Sequence, residues 1–181
     1  MSDCERFHVI TGGPGSGKTS LIDALARAGY ARTVEAGRAI IQDQLAIDGP
    51  ALPWRDPIAF AELMLSWELR SYRMAEAMSG PVFFDRGVTE LVGYLTLVGR
   101  PVPAHIARAT ERFRYNRCVF VAPPWPAIYT NDAERKQTPE EAVRTYEAVV
   151  AAYTACGYEL VSLPLVSVEE RVRFVLENIG A

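Results

Sequence analysis

Lysine is nearly absent from this chain of 181 residues: Lys18 and Lys136 stand alone among 19 basic side chains, all the others being arginine. A general arginine bias accounts for the arginines. It leaves each surviving lysine to be explained, because a compact ammonium and a planar guanidinium are not interchangeable at a phosphate site. An excess of positive charge is missing too. The net charge of −3 offers no basic field to neutralise a run of nucleic-acid phosphates, so nucleic acid is not the expected partner. Cys4, Cys118 and Cys156 are far apart, odd in number and without a CxxC pair, and read as reduced thiols or small core residues of a cytoplasmic protein. Long apolar runs are lacking as well. Arg, Glu or Asp interrupts each one before the roughly 20 residues that a membrane span needs, and a soluble protein is expected. The two histidines, His8 and His105, have no partner at metal or triad spacing and are given no chemistry.

What the chain does have is apolar material for a core: 49% of its residues are hydrophobic, which suits one domain spanning residues 1–181. Phe7-His8-Val9-Ile10-Thr11 is a β-rich run that closes on glycines, and Leu21, Ile22 and Leu25 then mark a helix that stops at Gly29. A second strand is expected over residues 32–35, ahead of a helix through Ile40, Ile41 and Leu45. Asp56-Pro57 reads as N-cap and first position of a long helix carrying Phe60, Met64, Trp67, Met74 and Met78. Val82-Phe83-Phe84-Asp85 predicts a third strand, Cys118-Val119-Phe120-Val121 a fourth, and residues 159–163 a fifth. Helical stretches at 91–98 and 104–114 fall between them. Thr138-Pro139-Glu140-Glu141 and Ser167-Val168-Glu169-Glu170 are capping boxes that open the last two helices. Strands alternating with helices predict an α/β fold, a five-stranded parallel sheet with helices on both faces.

Gly12-Gly13-Pro14-Gly15-Ser16-Gly17-Lys18-Thr19 fits the pattern Gly-x4-Gly-Lys-Thr without departure. Chance would produce such a match in a chain of this length about one time in a hundred or less. The match also falls between an expected strand and an expected helix, where backbone amides and a helix N-terminus converge on phosphate oxygens. These residues, with Ser20 after them, are therefore expected to hold a nucleoside triphosphate, taken as ATP. Lys18 would reach the β and γ phosphates and the Thr19 hydroxyl would sit on Mg2+. Asp85 ends a buried strand, the position of the second metal-orienting carboxylate in P-loop proteins; a cap for the following helix is the plainer reading. Arg86 follows it in place of the water-activating glutamate of many P-loop hydrolases. That favours phosphoryl transfer over hydrolysis.

Three segments then occur in order: Asp85-Arg86-Gly87 after the P-loop, Ala122-Pro123-Pro124-Trp125 after a strand, and Asp132-Ala133-Glu134-Arg135-Lys136-Gln137. In these the chain resembles the P-loop ATPase/kinase family that includes the nicotinamide riboside kinase domain, and more distantly the deoxynucleoside, thymidylate and cytidylate kinases. The resemblance implies a substrate-side insertion and a short arginine-bearing lid, here about residues 126–138. It implies that Glu35, at the end of the second strand, receives or orients the acceptor hydroxyl, with Arg38 one helical turn beyond. Asp85 and Arg86 match the family's acidic-arginine pair, with Asp85 metal-orienting, acceptor-binding or the general base. Arg135 and Lys136 would close over the phosphates. Read from the residues alone, Glu35 is equally a carboxylate at a helix start, and Arg135 and Lys136 a solvated turn. Trp54, Arg55 and Asp56 fit an acceptor contact or a buried Trp beside a helix cap.

The expected function is transfer of the γ-phosphate of MgATP to a small nucleoside- or nucleotide-like acceptor. The alternative is an ATPase or nucleotide-dependent switch acting on a protein partner. A Ras-like GTPase is disfavoured because neither lysine follows Asn or Thr. The acceptor's identity and a homodimer are left open.

Overall fold

The computed structural model describes residues 3–129 and 138–181. Five short runs, mostly β-branched and aromatic, pair as parallel strands: β1 (Phe7–Gly12), β2 (Ala31–Arg32), β3 (Val82–Asp85), β4 (Cys118–Ala122) and β5 (Glu159–Ser162). Their order is β2-β3-β1-β4-β5. β1 therefore lies between β3 and β4 and is buried along its whole length, which is why it reads as an unbroken apolar run rather than an alternating one. Alternate residues feed two separate cores. Phe7, Val9, Val82, Phe84, Val119 and Val121 join one cluster, and Ile10, Phe83 and Phe120 join the other.

The second cluster is closed by α1 (Lys18–Arg27) and α7 (Val168–Ile179), through Leu21, Ile22, Leu25 and Val175. The first is covered by α2 (Ala36–Ala46), α3 (Pro57–Glu76), α4 (Glu90–Leu97), α5 (Ala104–Arg112) and α6 (Pro139–Ala155). Both capping boxes form with their reciprocal bonds, Thr138 with Glu141 and Ser167 with Glu170. Asp56 caps α3 by accepting from the Ile58 and Ala59 amides at 3.2 and 2.9 Å. Among the described residues no helix is long and apolar enough to cross a membrane.

One expectation needs correction, and of the two alternatives for Trp54 the buried one falls. The second strand covers only Ala31–Arg32 and not residues 32–35. It is an edge strand, and beyond one further bond from the Thr33 amide to the Phe83 carbonyl at 2.9 Å the chain leaves the sheet, with Val34 exposed. Glu35 is consequently the N-cap residue of α2. Trp54 is also not buried: it is 63% exposed, and Arg55 beside it pairs with Asp48 at the surface.

Register decides where the site lies. Ile10 is level with Asp85, and Gly12 with Ala122, so the loops leaving β1, β3 and β4 open on the same carboxyl edge of the sheet. This is the edge at which open α/β sheets hold ligands. Tyr115 fixes one of these loops: its hydroxyl accepts from the Val88 amide at 3.1 Å, and its ring would meet a Cβ on Gly87 at 2.8 Å.

His8 is an uncharged tenant of the second core, packed on Phe83 at 5.7 Å with Nδ1 buried and without a hydrogen-bond partner. Burial pushes it down to about 4. A histidine depressed in the folded state contributes stability above its unfolded value near 6.5 that is lost as pH falls towards 4. Stability should therefore drop by up to about 3 kcal/mol over that interval more than in His8→Phe, as measured by urea unfolding of the two proteins at pH 7 and pH 4.5.

Candidate active site

The loop between β1 and α1 can turn as it does because Gly15 and Gly17 have φ of 72° and 79°, a left-handed region closed to most side chains. Successive amides in that conformation form a concave nest for an anion. Gly17 is also the N-cap of α1, so the positive end of that helix faces the same hollow. Lys18 begins α1 and is only 7% exposed. Its ammonium donates to the Gly13 carbonyl at 2.6 Å and to Ser16 Oγ at 3.3 Å. Burial and, second, the Arg86 guanidinium push it down to about 7, against the opposing pull of Asp85, Glu35 and Glu90. A cation so poorly solvated gains most from an arriving anion.

Asp85 and Arg86 leave β3 beside this loop. Arg86 has φ 74°, rare for a residue with a Cβ and worth about 1–2 kcal/mol of strain. The turn aims its guanidinium back across the site. Nε donates to Glu35 Oε1 at 3.2 Å, and Nη1 to Glu90 Oε2 and to the Gly12 carbonyl, both at 3.3 Å. Thr11 at the end of β1 donates to the other oxygen of Glu90. Burial works against the Arg86 charge, but Glu35, Glu90 and Asp85 outweigh it and hold the group above its ordinary range.

Asp85 is 6% exposed, and its Oδ1 is buried with no hydrogen-bond partner. Burial, then Glu35, pushes it up to about 6. Glu68, on the buried side of α3, is raised well above the usual carboxylate range by burial first and then by Glu90 and Asp85. Three carboxylates, Glu35, Asp85 and Glu90, thus act on both Arg86 and Lys18.

An open cavity of about 500 Å3 runs from the glycine loop past Lys18, Thr19 and Ser20 to Glu35 and Arg38, with Trp125 and Arg171 on its far wall. The structure brings together the predicted Lys18, Thr19, Glu35, Asp85 and Arg86. Arg135 and Lys136 lie outside the described residues. Magnesium fits the donor chemistry: an orphaned buried carboxylate oxygen on Asp85 and an exposed hydroxyl residue, Thr19, flank the loop. Among the described residues no group of three or more His, Cys, Asp or Glu is placed to hold a metal ion.

A family model described as an AAA domain matches residues 7–171. The chain belongs to this family. Among curated proteins nothing matches. Similar solved structures include the NadR protein in complex with NR, at 17% identity and TM-score 0.71, over 98% of this chain and 52% of that one. Deoxyadenosine kinase from M. mycoides, with products dCMP and a flexible dCDP bound, follows at 13% identity and TM-score 0.68, over 96% and 98%. Thymidylate kinase from Ehrlichia chaffeensis matches at 14% identity and TM-score 0.62, over 98% and 99%. The chain spans about half the length of the NadR chain. At these identities the likeness is one of fold: a P-loop α/β fold shared with nucleoside and nucleotide kinases.

Three residues of the site escaped the sequence reading. Glu90 could have been found, because it lies four residues after Arg86, a spacing at which opposite charges meet on a helical turn. Glu68 sits inside a long amphipathic helix with no local signal. Arg171 lies 155 positions from the loop carbonyl that it contacts. Only packing could reveal either.

Lys18→Ala should abolish the melting shift produced by a nonhydrolysable ATP analogue while leaving the ligand-free melting temperature unchanged or higher, since the lost cation is desolvated. Differential scanning fluorimetry of both proteins with and without the analogue checks this. A full shift in the variant would contradict it.

Proposed function

We propose that this protein is a small-molecule kinase, acting as a single domain, that moves the γ-phosphate of MgATP to a hydroxyl of a nucleoside-like acceptor. The observation that carries the reading is the Glu35 carboxylate, held by Arg86 at 3.2 Å on the wall of the same cavity as the P-loop. In this reading the glycine-loop amides and Lys18 hold the triphosphate. Mg2+, held by Thr19 and Asp85, supplies charge neutralisation when bound. Glu35 takes the acceptor proton as the acceptor oxygen bonds to the γ-phosphorus and the bond to the β–γ bridging oxygen breaks, releasing ADP. Catalysis of this kind is mainly positioning and charge stabilisation.

A hydroxyl acceptor fits better than a phosphate acceptor. The described hydrogen bonds of Arg86 go to two carboxylates and a carbonyl, and Asp85 and Glu90 beside it disfavour a second anion. Arg135 and Lys136 are proposed as lid cations that arrive on closure and stabilise the transferring phosphoryl group.

A thermal-shift screen of nucleosides, nucleoside monophosphates and vitamin-like alcohols, with an ATP analogue present, tests the class. A nucleoside whose shift depends on the analogue is the expected result. A monophosphate as the sole hit would replace the hydroxyl reading, and ATP hydrolysis with no acceptor would replace the kinase by an ATPase. With the acceptor in hand, Glu35→Gln should lower kcat by about a hundredfold or more while barely changing ATP affinity, because the lost step is proton transfer. Arg135→Ala should likewise slow transfer about a hundredfold at saturating ATP, with Lys136→Ala acting less, since its ammonium lacks the bidentate fork. Near-normal transfer by the double variant would reduce that segment to a surface turn.

A further inference from the structure

Among the described residues no carboxylate neutralises Arg171. It rises from the first turns of α7, yet its side chain is folded inward and the residue is only 1% exposed. Its Nη1 donates to the Ser16 carbonyl at 3.1 Å, inside the glycine loop. Its guanidinium stacks on Trp125 at 5.3 Å from the ring centroid. Nε and Nη2 are buried and have no hydrogen-bond partner. Among the described residues no carboxylate pairs with it, in contrast to Arg86, which has Glu35 and Glu90. A buried charge without a counter-ion is costly and persists where something else supplies the opposite charge. The two idle donors are the side-on fork of the guanidinium; both are closed off from the open cavity, so as the side chain stands Arg171 acts on an anion there through its charge and through the Ser16 carbonyl.

The contact with Ser16 adds a second effect. Across a trans peptide the carbonyl and the following amide point in opposite directions. Arg171 draws the Ser16 carbonyl to itself, and the Gly17 N–H is thereby turned away from the guanidinium. Gly17 could not carry a side chain beside it: a Cβ there would stand 2.9 Å from Nη1. The arginine also cancels the negative carbonyl that the loop would otherwise present near an anion. Both Gly17 and Arg171 line the cavity of the glycine loop.

We infer that Arg171 is a positioning residue for the phosphate nest, its charge being completed by the bound polyphosphate chain of the nucleotide. The inference rests on the reading that the glycine loop holds a triphosphate. It assigns to the C-terminal helix a part in the nucleotide site: α7 braces the loop from behind and supplies a cation complementary to that of Lys18.

The test compares the whole protein with Arg171→Met, which keeps the length but not the charge, and Arg171→Lys, which keeps the charge but not the fork. Calorimetric titration with inorganic tripolyphosphate, ATP and adenosine, each with Mg2+, gives the readout. Arg171→Met should weaken tripolyphosphate and ATP alike, by about ten- to a hundredfold, with Arg171→Lys intermediate. Adenosine affinity should not change. Wild-type affinity of Arg171→Met for tripolyphosphate overturns the inference, whether ATP binding is kept or lost, because the residue then braces the fold or reads the base. If Arg171→Met does not fold, Arg171→Lys decides alone, and unchanged tripolyphosphate affinity in it has the same meaning. Failure of the wild-type protein to bind either polyphosphate would instead sink the triphosphate reading itself.

Discussion

The burial of charge at one edge of the sheet is the constraint on which the site depends. Arg86 is set among Glu35, Glu90 and the Gly12 carbonyl, with Asp85 and Lys18 close enough to perturb one another. None of these groups is well solvated, and each would be expensive to bury alone. Together they hold the ends of β1 and β3 and the start of α2 in a fixed relation. Glu90 is the hinge of that arrangement, since one of its oxygens meets Thr11 on β1 and the other meets Arg86. The positive φ of Arg86 is tolerated because this network determines where the guanidinium must go.

The network is also unfinished in a way that points to a ligand. Lys18 is bonded to a carbonyl and a hydroxyl rather than to an anion, one oxygen of Asp85 is buried without a partner, and the side-on fork of Arg171 is idle. Among the described residues these two cations line one cavity without an anionic hydrogen-bond partner, and the Asp85 carboxylate is close enough to Lys18 to act on its charge. A magnesium-bound polyphosphate would balance the charge of all three at once, which is why a triphosphate site explains the arrangement more economically than separate structural roles would.

Acidic and basic groups meet directly at this site rather than occupying separate ends of it. Asp85, Glu35 and Glu90 all act on Lys18 at the head of α1, and Glu35 and Glu90 hold Arg86. The proposed alcohol acceptor and a phosphate acceptor differ in how this charge would meet them. Sharing the fold of nucleoside and nucleotide kinases does not itself choose between these substrates, because function is set by the site grafted on the fold.

By itself the sequence determined what depends on neighbouring residues. The glycine loop and Lys18 were legible because phosphate binding needs special φ values and an ammonium within eight consecutive positions. The central strands, both capping boxes and the Asp56 cap were legible because period and reciprocal hydrogen bonds act over a few residues. The edge strand was misjudged, since pairing with β3 and not propensity sets where β2 ends, and the choice between a buried and an exposed Trp54 was left open for want of a partner surface. Only the tertiary structure decided that Glu35 meets Arg86 across 51 positions, that Glu68 and Glu90 join them, and that Arg171 reaches the loop from 155 positions away. Those contacts are made by the register of parallel strands and by helices packed on opposite faces of a sheet, and no local pattern of residues encodes such distances.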